Sequence, residues 1–246
     1  MRIIIVKDYE ELSKKAANVI SGQVILKPNS VLGLATGSTP LGTYKSLVKM
    51  YKEGVVDFSK TITYNLDEYY GLAKNHINSY NYFMDKNLFS HINILKENIH
   101  IPNGEAHDIE AECVLYEQSI EKSGGIDLQL LGIGRNGHIG FNEPDLTFEA
   151  LTHMVKLDKD TIEVNSRFFE NIDDVPKKAI SMGIKTIMRA RKILLLASGI
   201  EKAEAVYKSI KGKITPDLPA SVLQLHPDVI YILDEDAASL LSRDKE

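Results

Sequence analysis

The pattern that most constrains the fold of this chain is an alternation of short β-branched runs with longer segments whose apolar residues follow a helical spacing. The longer segments predict helices at 41–51, 80–89, 109–122 and 203–210. The short runs predict strands at 3–6, 30–35, 60–66, 127–132, 192–197 and 228–233. Strands separated by helices are typical of a parallel sheet covered on both faces. The sequence shows no internal repeat, low-complexity linker or break in composition, so we predict one α/β domain over residues 1–246, with a mostly parallel sheet and helices on both faces.

Charge and cysteine content disfavour several classes of partner. The formal net charge is −5 at pH 7 and the isoelectric point is near 5.8, which argues against binding to nucleic acids or membrane surfaces. Cys113 is the single cysteine of the sequence, so no internal disulfide can form and a reducing compartment is indicated. The first apolar run is short and soon followed by charges, and no apolar run approaches ~18 residues. We therefore expect a cytoplasmic protein without nucleic-acid or membrane partners.

The loop after the second predicted strand has the composition of an anion-binding turn. Thr36, Gly37, Ser38 and Thr39 precede Pro40, which suits the first turn of a helix. Thr39 is a natural N-cap, and Gly37 allows the backbone to approach a ligand closely. Free amides and hydroxyls at a helix N-terminus can hold a phosphate. An ordinary capped turn remains the alternative, and the spacing does not fit a nucleotide P-loop.

Two adjacent carboxylates, Asp67 and Glu68, follow the third predicted strand directly. Neighbouring side chains of an extended segment point in opposite directions, so we expect one carboxylate to face a cleft and the other to turn away. A carboxylate at the end of a strand can serve as a general base. A capping or turn-forming role for Asp67 is the alternative.

The loop 132–144 reads GIGRNGHIGFNEP and formally contains the G-x-G-x-x-G spacing of dinucleotide-binding turns. That fingerprint requires an uninterrupted helix and an acidic residue about 20 positions further on. Here Gly140, Asn142 and Pro144 interrupt any helix, and the acidic Glu143 comes too early. We therefore do not expect dinucleotide binding.

The same loop presents Asn136, His138 and Glu143. An imidazole with a carboxylate and an amide nearby can move a proton between the ring oxygen and O1 of a sugar, which is what opening the ring requires. A structural histidine is the alternative. The seven histidines show no paired ligand spacing, and the lone cysteine has no partner, so no metal site is predicted.

Two basic residues follow at candidate site positions. Arg167 lies in the hydrophobic segment NSRFF, where it could either enter a site or extend from a helix face. Lys202 falls in the first turn of the last predicted helix, where a cation opposes the helix dipole unless it meets an anion.

Taken together, these segments resemble the glucosamine-6-phosphate deaminases, also called glucosamine-6-phosphate isomerases. The resemblance extends over nearly the whole chain through TGSTP, NLDEYYGL, SYNYFM, GIGRNGHIGFNEP, NSRFF and PASVLQLHP. It implies a Rossmann-like parallel sheet without nucleotide binding. It also implies a cofactor-free enzyme, a hydrolase acting on a carbon–nitrogen bond, that converts glucosamine 6-phosphate and water to fructose 6-phosphate and ammonium.

The resemblance also assigns roles to individual residues. Asp67 becomes the enolising base, and His138 the ring-opening group supported by Glu143. Because position 136 is Asn136 rather than aspartate, we expect an amide oxygen rather than a charge to orient His138. The resemblance places the phosphate site at Thr36, Gly37, Ser38, Thr39, Arg167 and Lys202.

Three points are left open by the resemblance. Family members activated by N-acetylglucosamine 6-phosphate carry serine, arginine and lysine where an ungapped alignment puts Leu146, His153 and Val155, so we expect no such activation. A mobile lid over 145–185 and a homo-oligomer are both compatible with the sequence. The alternatives are a 6-phosphogluconolactonase, disfavoured by NLDEY and FNEP, and a non-catalytic sugar-phosphate sensor, disfavoured by the presence of Asp67 and His138.

Overall fold

The computed structural model describes residues 1–158, 162–163, 166, 169, 171 and 174–241. Arg167 lies outside the described residues. The strands are β1 Arg2–Val6, β2 Val31–Leu34, β3 Ile62–Asn65, β4 Asp67–Tyr69, β5 Ile99–His100, β6 Leu128–Leu131, β7 His153–Lys156, β8 Lys178–Ser181, β9 Lys192–Ala197 and β10 Val229–Asp234. The described α-helices are α1 Tyr9–Leu26, α2 Leu41–Lys52, α3 Tyr80–Asn87, α4 Ile109–Lys122, α5 Ile184–Met188 and α6 Ala203–Lys211. Short 3₁₀ helices cover Phe89–His91, Lys96–Asn98, Ile200–Lys202 and Pro219–Leu225.

The central sheet has seven strands in the order β1-β10-β9-β6-β2-β3-β5, and every pairing within it is parallel. All residues of β2, β6 and β10 are buried, so both faces of the sheet are covered. The predicted α/β fold with a mostly parallel sheet is thereby confirmed. Strand β9 and helix α4 begin and end at the predicted residues.

Helix α1 is the longest described helix and is missing from the sequence-based prediction. Its N-terminus is capped by Asp8, whose Oδ1 accepts the Glu11 N–H at 2.9 Å. Leu12, Ala16 and Ile20 are buried at a spacing of one helical turn and join the main core. The helix thus covers the sheet between its edge strand and its middle.

A second, three-stranded antiparallel sheet, β4-β8-β7, was not predicted. It changes the setting of Asp67, which lies on strand β4 and not in a loop. The sequence signal for β4 is weak because DEY is short and charged, and its partner strands lie far away along the chain. Asp67 is paired with Ser181 of β8.

The order of the central strands reverses between β2 and β6. After β2 the chain adds β3 and β5 on one side, and it then returns to place β6, β9 and β10 on the other. The loops that leave the carboxyl ends of β2 and β6 diverge at this point, which is where ligands bind in open α/β sheets. No helix in the described part of the chain is long and apolar enough to cross a membrane.

Candidate active site

A cavity of about 190 Å³ opens at the carboxyl ends of β2, β3 and β6. It brings together the segments that follow β2, β3 and β6. Of the predicted site residues, it is lined by Thr36, Gly37, Ser38, Thr39, Asp67, Asn136, His138 and Lys202.

One end of the cavity is formed by the turn between β2 and α2. Gly37 has φ 102°, a left-handed conformation that residues with a Cβ rarely adopt. The Tyr9 hydroxyl donates to the Ser38 carbonyl at 3.0 Å and accepts the Gly42 N–H at 2.8 Å. These contacts fix the turn from outside and leave its inner face to the cavity.

The predicted N-cap of α2 is wrong by one residue. The N-cap is Pro40, in the helical region of backbone space, and no side chain caps the helix from that position. The reason is a turn in which the Leu41 N–H reaches the Ser38 carbonyl at 3.4 Å, so that the helix begins after Pro40. Thr39 lines the cavity instead.

The opposite end of the cavity holds Asp67, which is 6% exposed. No described residue donates a hydrogen bond to its carboxylate. Burial, with the neighbouring negative charge of Glu68 as the smaller cause, raises the pKa of Asp67 to about 8. A carboxylate in this setting holds a proton far more tightly than one in water, which is the property of a general base that must take a proton from carbon.

Glu68 occupies the contrasting position that the alternation of side chains requires. Its Oε1 accepts the N–H groups of Tyr69 at 2.9 Å and Tyr80 at 2.8 Å. Its Oε2 accepts the backbone and side-chain N–H groups of Asn81 at 2.9 and 3.0 Å. Burial raises the pKa of Glu68, while these donors act in the opposite direction. Glu68 therefore anchors the N-terminus of α3, and the prediction that one carboxylate turns away from the cleft is confirmed.

His138, Asn136 and Glu143 form one hydrogen-bonded group. Glu143 Oε2 lies 3.1 Å from His138 Nδ1 and 2.8 Å from Asn136 Nδ2. The Asn136 Oδ1 accepts the backbone N–H of His138 at 3.2 Å and does not contact the ring. The expectation that an amide oxygen orients the imidazole is therefore wrong. The Glu143 carboxylate orients the ring, and Asn136 holds both the carboxylate and the His138 backbone.

Glycines create the space for this group. A Cβ on Gly134 would lie 2.4 Å from Cε1 of the His138 ring, so only glycine permits the ring to pack over this turn. Gly140 has φ 58°, and a Cβ there would lie 3.6 Å from Asp67 Oδ2. The loop backbone therefore passes close to the carboxylate of Asp67.

The small sheet ties the two reactive groups together. Ser181 is the strand partner of Asp67, and its hydroxyl accepts the Phe141 N–H at 3.0 Å. Phe141 belongs to the loop that carries His138, so one residue of β8 positions both the strand of Asp67 and the loop of His138.

Lys202 lies at the N-terminus of α6 and lines the cavity next to the β2–α2 turn. The preceding turn is held by Asp234, which accepts the Ser198 hydroxyl at 2.5 Å and the Gly199 N–H at 3.1 Å. Gly199 has φ 96°, which suits the abrupt turn between β9 and the helix. Lys202 therefore brings a cation to the end of the cavity that carries the hydroxyls of the turn.

Two residues that line the cavity were not predicted from the sequence. Arg135 also lines the cavity, and its position inside the glycine-rich loop beside Asn136 was the signal available for it. Tyr80 lies over Phe141 with ring centroids 6.0 Å apart and an interplanar angle of 13°. Nothing in the local sequence indicates that Tyr80 reaches the cavity, because α3 approaches it only through tertiary packing. Within the described ranges, no group of three or more histidine, cysteine, aspartate or glutamate residues could hold a metal ion.

Comparison with known proteins defines the class to which this fold and site correspond. The model of the family described as glucosamine-6-phosphate isomerases/6-phosphogluconolactonase matches residues 8–231, and the chain belongs to that family. The resemblance read from the sequence motifs is thereby confirmed.

Within the family, the similarity is to deaminases. The chain is 60% identical over 242 residues to the glucosamine-6-phosphate deaminase of Clostridioides difficile (strain 630), covering 98% of this chain and 97% of that one. It is 61% identical over 241 residues to the enzyme of the same name from Thermoanaerobacter pseudethanolicus (strain ATCC 33223 / 39E), covering 98% and 95%.

Solved structures agree with this assignment. A monomeric glucosamine-6-phosphate deaminase superposes with a TM-score of 0.95 at 50% identity, over 98% of this chain and 100% of that one. The 6-phosphogluconolactonase from Trypanosoma cruzi superposes with a TM-score of 0.78 at 19% identity, over 98% and 97%, and shares the fold alone.

Proposed function

We propose that this chain is a glucosamine-6-phosphate deaminase, which converts glucosamine 6-phosphate and water to fructose 6-phosphate and ammonium in amino-sugar catabolism. One observation carries the proposal: a buried carboxylate with a raised pKa, Asp67, faces the same small cavity as the His138–Glu143 pair. Identity of 60% over almost the full length of a deaminase supports it.

The phosphate of the substrate binds at the β2–α2 turn. Thr36, Ser38 and Thr39 supply hydroxyls there, Gly37 allows close backbone approach, and Lys202 supplies a cation. We retain Arg167 as a further phosphate ligand. Binding of this remote group orients the sugar so that C1 and C2 lie between Asp67 and His138.

His138 opens the sugar ring in the first step. One ring nitrogen faces Glu143, which holds the imidazole in a fixed orientation. The imidazole takes the proton of the O1 hydroxyl and returns one to O5 as the C1–O5 bond breaks, which leaves an aldehyde at C1.

Asp67 performs the second step. Its ionised carboxylate removes the proton from C2, and the electron pair of that bond forms the C1–C2 double bond. The C1 oxygen takes a proton from the ammonium group of the substrate, which gives an enol at C1 and a neutral amine at C2. Asp67 then returns the proton to C1, and the electron pair of the nitrogen forms a carbon–nitrogen double bond at C2. The net change is an internal shift of one electron pair from C2 to C1, which balances without an external oxidant.

Water adds to the resulting imine at C2, and ammonia leaves with a proton as the C2 carbonyl of fructose 6-phosphate forms. The decisive measurement is the formation of fructose 6-phosphate and ammonium from glucosamine 6-phosphate in equal amounts by the wild-type protein and not by Asp67→Asn. Hydrolysis of 6-phosphogluconolactone without ammonium release would contradict the proposal.

Three further expectations belong with this proposal. We assign the enzyme to the cytoplasm, which is supported by its single unpaired cysteine, Cys113. A homo-oligomer stays a prediction, although the deaminase of 50% identity is described as monomeric. The lid over 145–185 also stays a prediction. It contains β7 and β8, so any movement of these strands would be transmitted to Asp67 through β4.

A further inference from the structure

A second cavity, of about 1130 Å³, adjoins the active site on the side of the phosphate-binding turn. We refer to it as the basic groove, because its charged lining consists of Lys45, Lys52, Lys86, Arg135 and Lys202 against the single carboxylate of Glu201. Its volume lies just above the roughly 300–1,000 Å³ of typical small-molecule pockets, so it has room for a ligand larger than a sugar phosphate. A strongly cationic groove on a chain of net charge −5 calls for an anionic occupant.

Four cations of the basic groove have no carboxylate partner in the described part of the chain. Within the described ranges, no carboxylate forms an ion pair with Lys45, Lys52, Lys86 or Arg135. Lys49 shows the ordinary arrangement on the same helix, since its Nζ lies 3.8 Å from Glu53 Oε1. Like charges gathered in one concave surface repel one another and attract a multivalent anion.

The arrangement of the cations follows the geometry of α2. Leu41, Lys45, Val48 and Lys52 line the groove, and their spacing of four, three and four residues defines one face of the helix. Lys45 and Lys52 are separated by ~10 Å along the helix axis, given a rise of 1.5 Å per residue. The groove therefore presents a row of positive charges that leads away from the start of α2.

The row begins at the catalytic phosphate site. Ser38, Thr39, Arg135 and Lys202 line both the active-site cavity and the basic groove, so the two spaces are continuous. An anion bound at the β2–α2 turn lies at the inner end of the row, and the sugar of the substrate extends from there toward Asp67. The groove extends in the other direction and is not filled by that substrate.

We propose that the basic groove binds a linear chain of linked phosphates. One terminal phosphate occupies the β2–α2 turn, and the following phosphates contact Lys45 and Lys52. Such a ligand excludes the sugar phosphate and is a competitive inhibitor. The placement of the terminal phosphate rests on the proposed function; the row of lysines does not.

The test compares ligands that differ in the number of linked phosphates. Binding of orthophosphate, tripolyphosphate and adenosine triphosphate is measured by calorimetry at low ionic strength and without divalent metal. Tripolyphosphate is expected to bind the wild-type protein at least about tenfold more tightly than orthophosphate, a difference of about 1.4 kcal/mol. The preference is expected to shrink as salt screens the lysines.

The decisive variant is Lys45→Ala/Lys52→Ala, with Lys49→Ala as the matched control. All three lysines are exposed on α2, and alanine has the highest helix propensity, so the fold is retained and is verified by circular dichroism. The double variant is expected to lose about tenfold, or about 1.4 kcal/mol, in tripolyphosphate affinity while orthophosphate affinity is unchanged. Lys49→Ala is expected to bind both ligands as the wild type does.

The possible outcomes test phosphate-chain binding by the basic groove separately from the proposed deaminase reaction. Lysine-dependent binding of tripolyphosphate by a protein without deaminase activity would support the groove and refute the reaction. Two results would overturn the proposed binding by the groove in a protein that has deaminase activity. One is that tripolyphosphate binds no more tightly than orthophosphate, and the other is that the double variant and Lys49→Ala bind tripolyphosphate equally. Equal affinity for tripolyphosphate and adenosine triphosphate would assign recognition to the phosphate chain alone, whereas tighter nucleotide binding would add contacts to the nucleoside; both support the proposal.

Discussion

The two ends of the active-site cavity are built in different ways. At the phosphate end, the groups that face the cavity are hydroxyls and backbone on one strand-to-helix turn, with Lys202 added from a neighbouring turn. At the reacting end, Asp67 and His138 come from separate elements and are brought together by a third, strand β8. Apart from Lys202, the first end is local in sequence. The second depends on tertiary structure and on the burial of a single carboxylate.

The largest effect is expected at the reacting end. Asp67→Asn is nearly isosteric and removes the group that accepts the C2 proton, so kcat is expected to fall by ~10²–10⁴-fold while substrate binding changes little. Steady-state kinetics and direct binding measure the two quantities separately. A variant with nearly wild-type turnover would remove Asp67 from the mechanism.

His138→Gln is expected to act on ring opening. Turnover of the cyclic substrate should fall by about 10²-fold, toward the lower range for loss of a positioned acid or base. Exchange of the C2 proton in an open-chain analogue should fall much less, because that step belongs to Asp67. Equal losses in both assays would assign His138 to enolisation or to the fold.

At the phosphate end the effect should appear in KM. Lys202→Ala removes a charge-assisted contact to phosphate, and KM for glucosamine 6-phosphate is expected to rise about tenfold or more. Turnover of unphosphorylated glucosamine is expected to stay nearly unchanged. Lys208→Ala, which alters an exposed lysine paired with Glu204 on the same helix, serves as the control. If catalytic efficiency fell equally for both sugars, Lys202 would act through the structure and not through contact with the phosphate.

The buried carboxylate also predicts how stability varies with pH. The folded state raises the pKa of Asp67 from 3.8 to about 8, so the wild type loses stability as the pH rises through this window, and Asp67→Asn does not. The Tm of the variant should therefore rise relative to that of the wild type between about pH 4 and pH 8. The expected rise is about 2–4 °C for each kcal/mol of difference in the free energy of unfolding.

Asp57→Asn provides a control of opposite sign. Asp57 is exposed, and hydrogen bonds from the Ser59 N–H and the Asn93 amide lower its pKa. The contribution of Asp57 to stability is therefore present at higher pH and lost as the pH falls. The Tm of this variant should accordingly fall below that of the wild type as the pH rises. Parallel curves for the wild type and Asp67→Asn would contradict the burial argument.

For N-acetylglucosamine 6-phosphate we expect no effect, so the substrate saturation curve should be hyperbolic both with and without it. Leu146 is 90% exposed, and Val155 lies on β7 with its register fixed by β8. That register keeps Lys156 on the opposite face of the strand from Val155.

The cavity on this side, of about 420 Å³, disfavours a phosphorylated effector as well. Its charged lining has four carboxylates, on Glu143, Asp145, Glu149 and Asp158, against the single lysine Lys156. An effector can shift an equilibrium only through different affinity for two states, and these carboxylates oppose a phosphate in either state. A saturation curve that turns from sigmoidal to hyperbolic on addition of millimolar effector would contradict this prediction.

The contrast between the two ends of the cavity, one local in sequence and one dependent on tertiary structure, also explains which features could be predicted from the sequence. Most strands of the central sheet are largely buried and rich in apolar residues. The strands of this sheet, except the two-residue β5, could therefore be located from sequence. The β2–α2 turn could be recognised for a similar reason, because glycine, hydroxyls and proline act within a few residues of each other. Its cap was misplaced by one residue because a local turn at Ser38 competes with the helix start.

The small sheet could not be predicted in this way. Its strands are three or four residues long, and β7 alternates between partly buried and exposed positions without a strong apolar run. The roles of Asp67 and His138 were indicated by their motifs, but their common support on Ser181 depends on pairing between distant segments. The hydrogen bond from Asn136 to Glu143, likewise, follows from the path of a folded loop and not from the residue types alone.

The pairing of Asp67 with Ser181 also bears on how the enzyme matures. During synthesis, β4 emerges long before β8, and Asp67 has no partner strand until Lys178–Ser181 has been made. Contacts between distant segments form late, because the loop between them must first be closed at a cost in entropy. The central sheet can therefore gather most of its strands while the carboxylate of Asp67 is still unplaced. On refolding, recovery of activity will lag behind recovery of secondary structure, and it will report that the long-range pairing of β4 with β8 has been made.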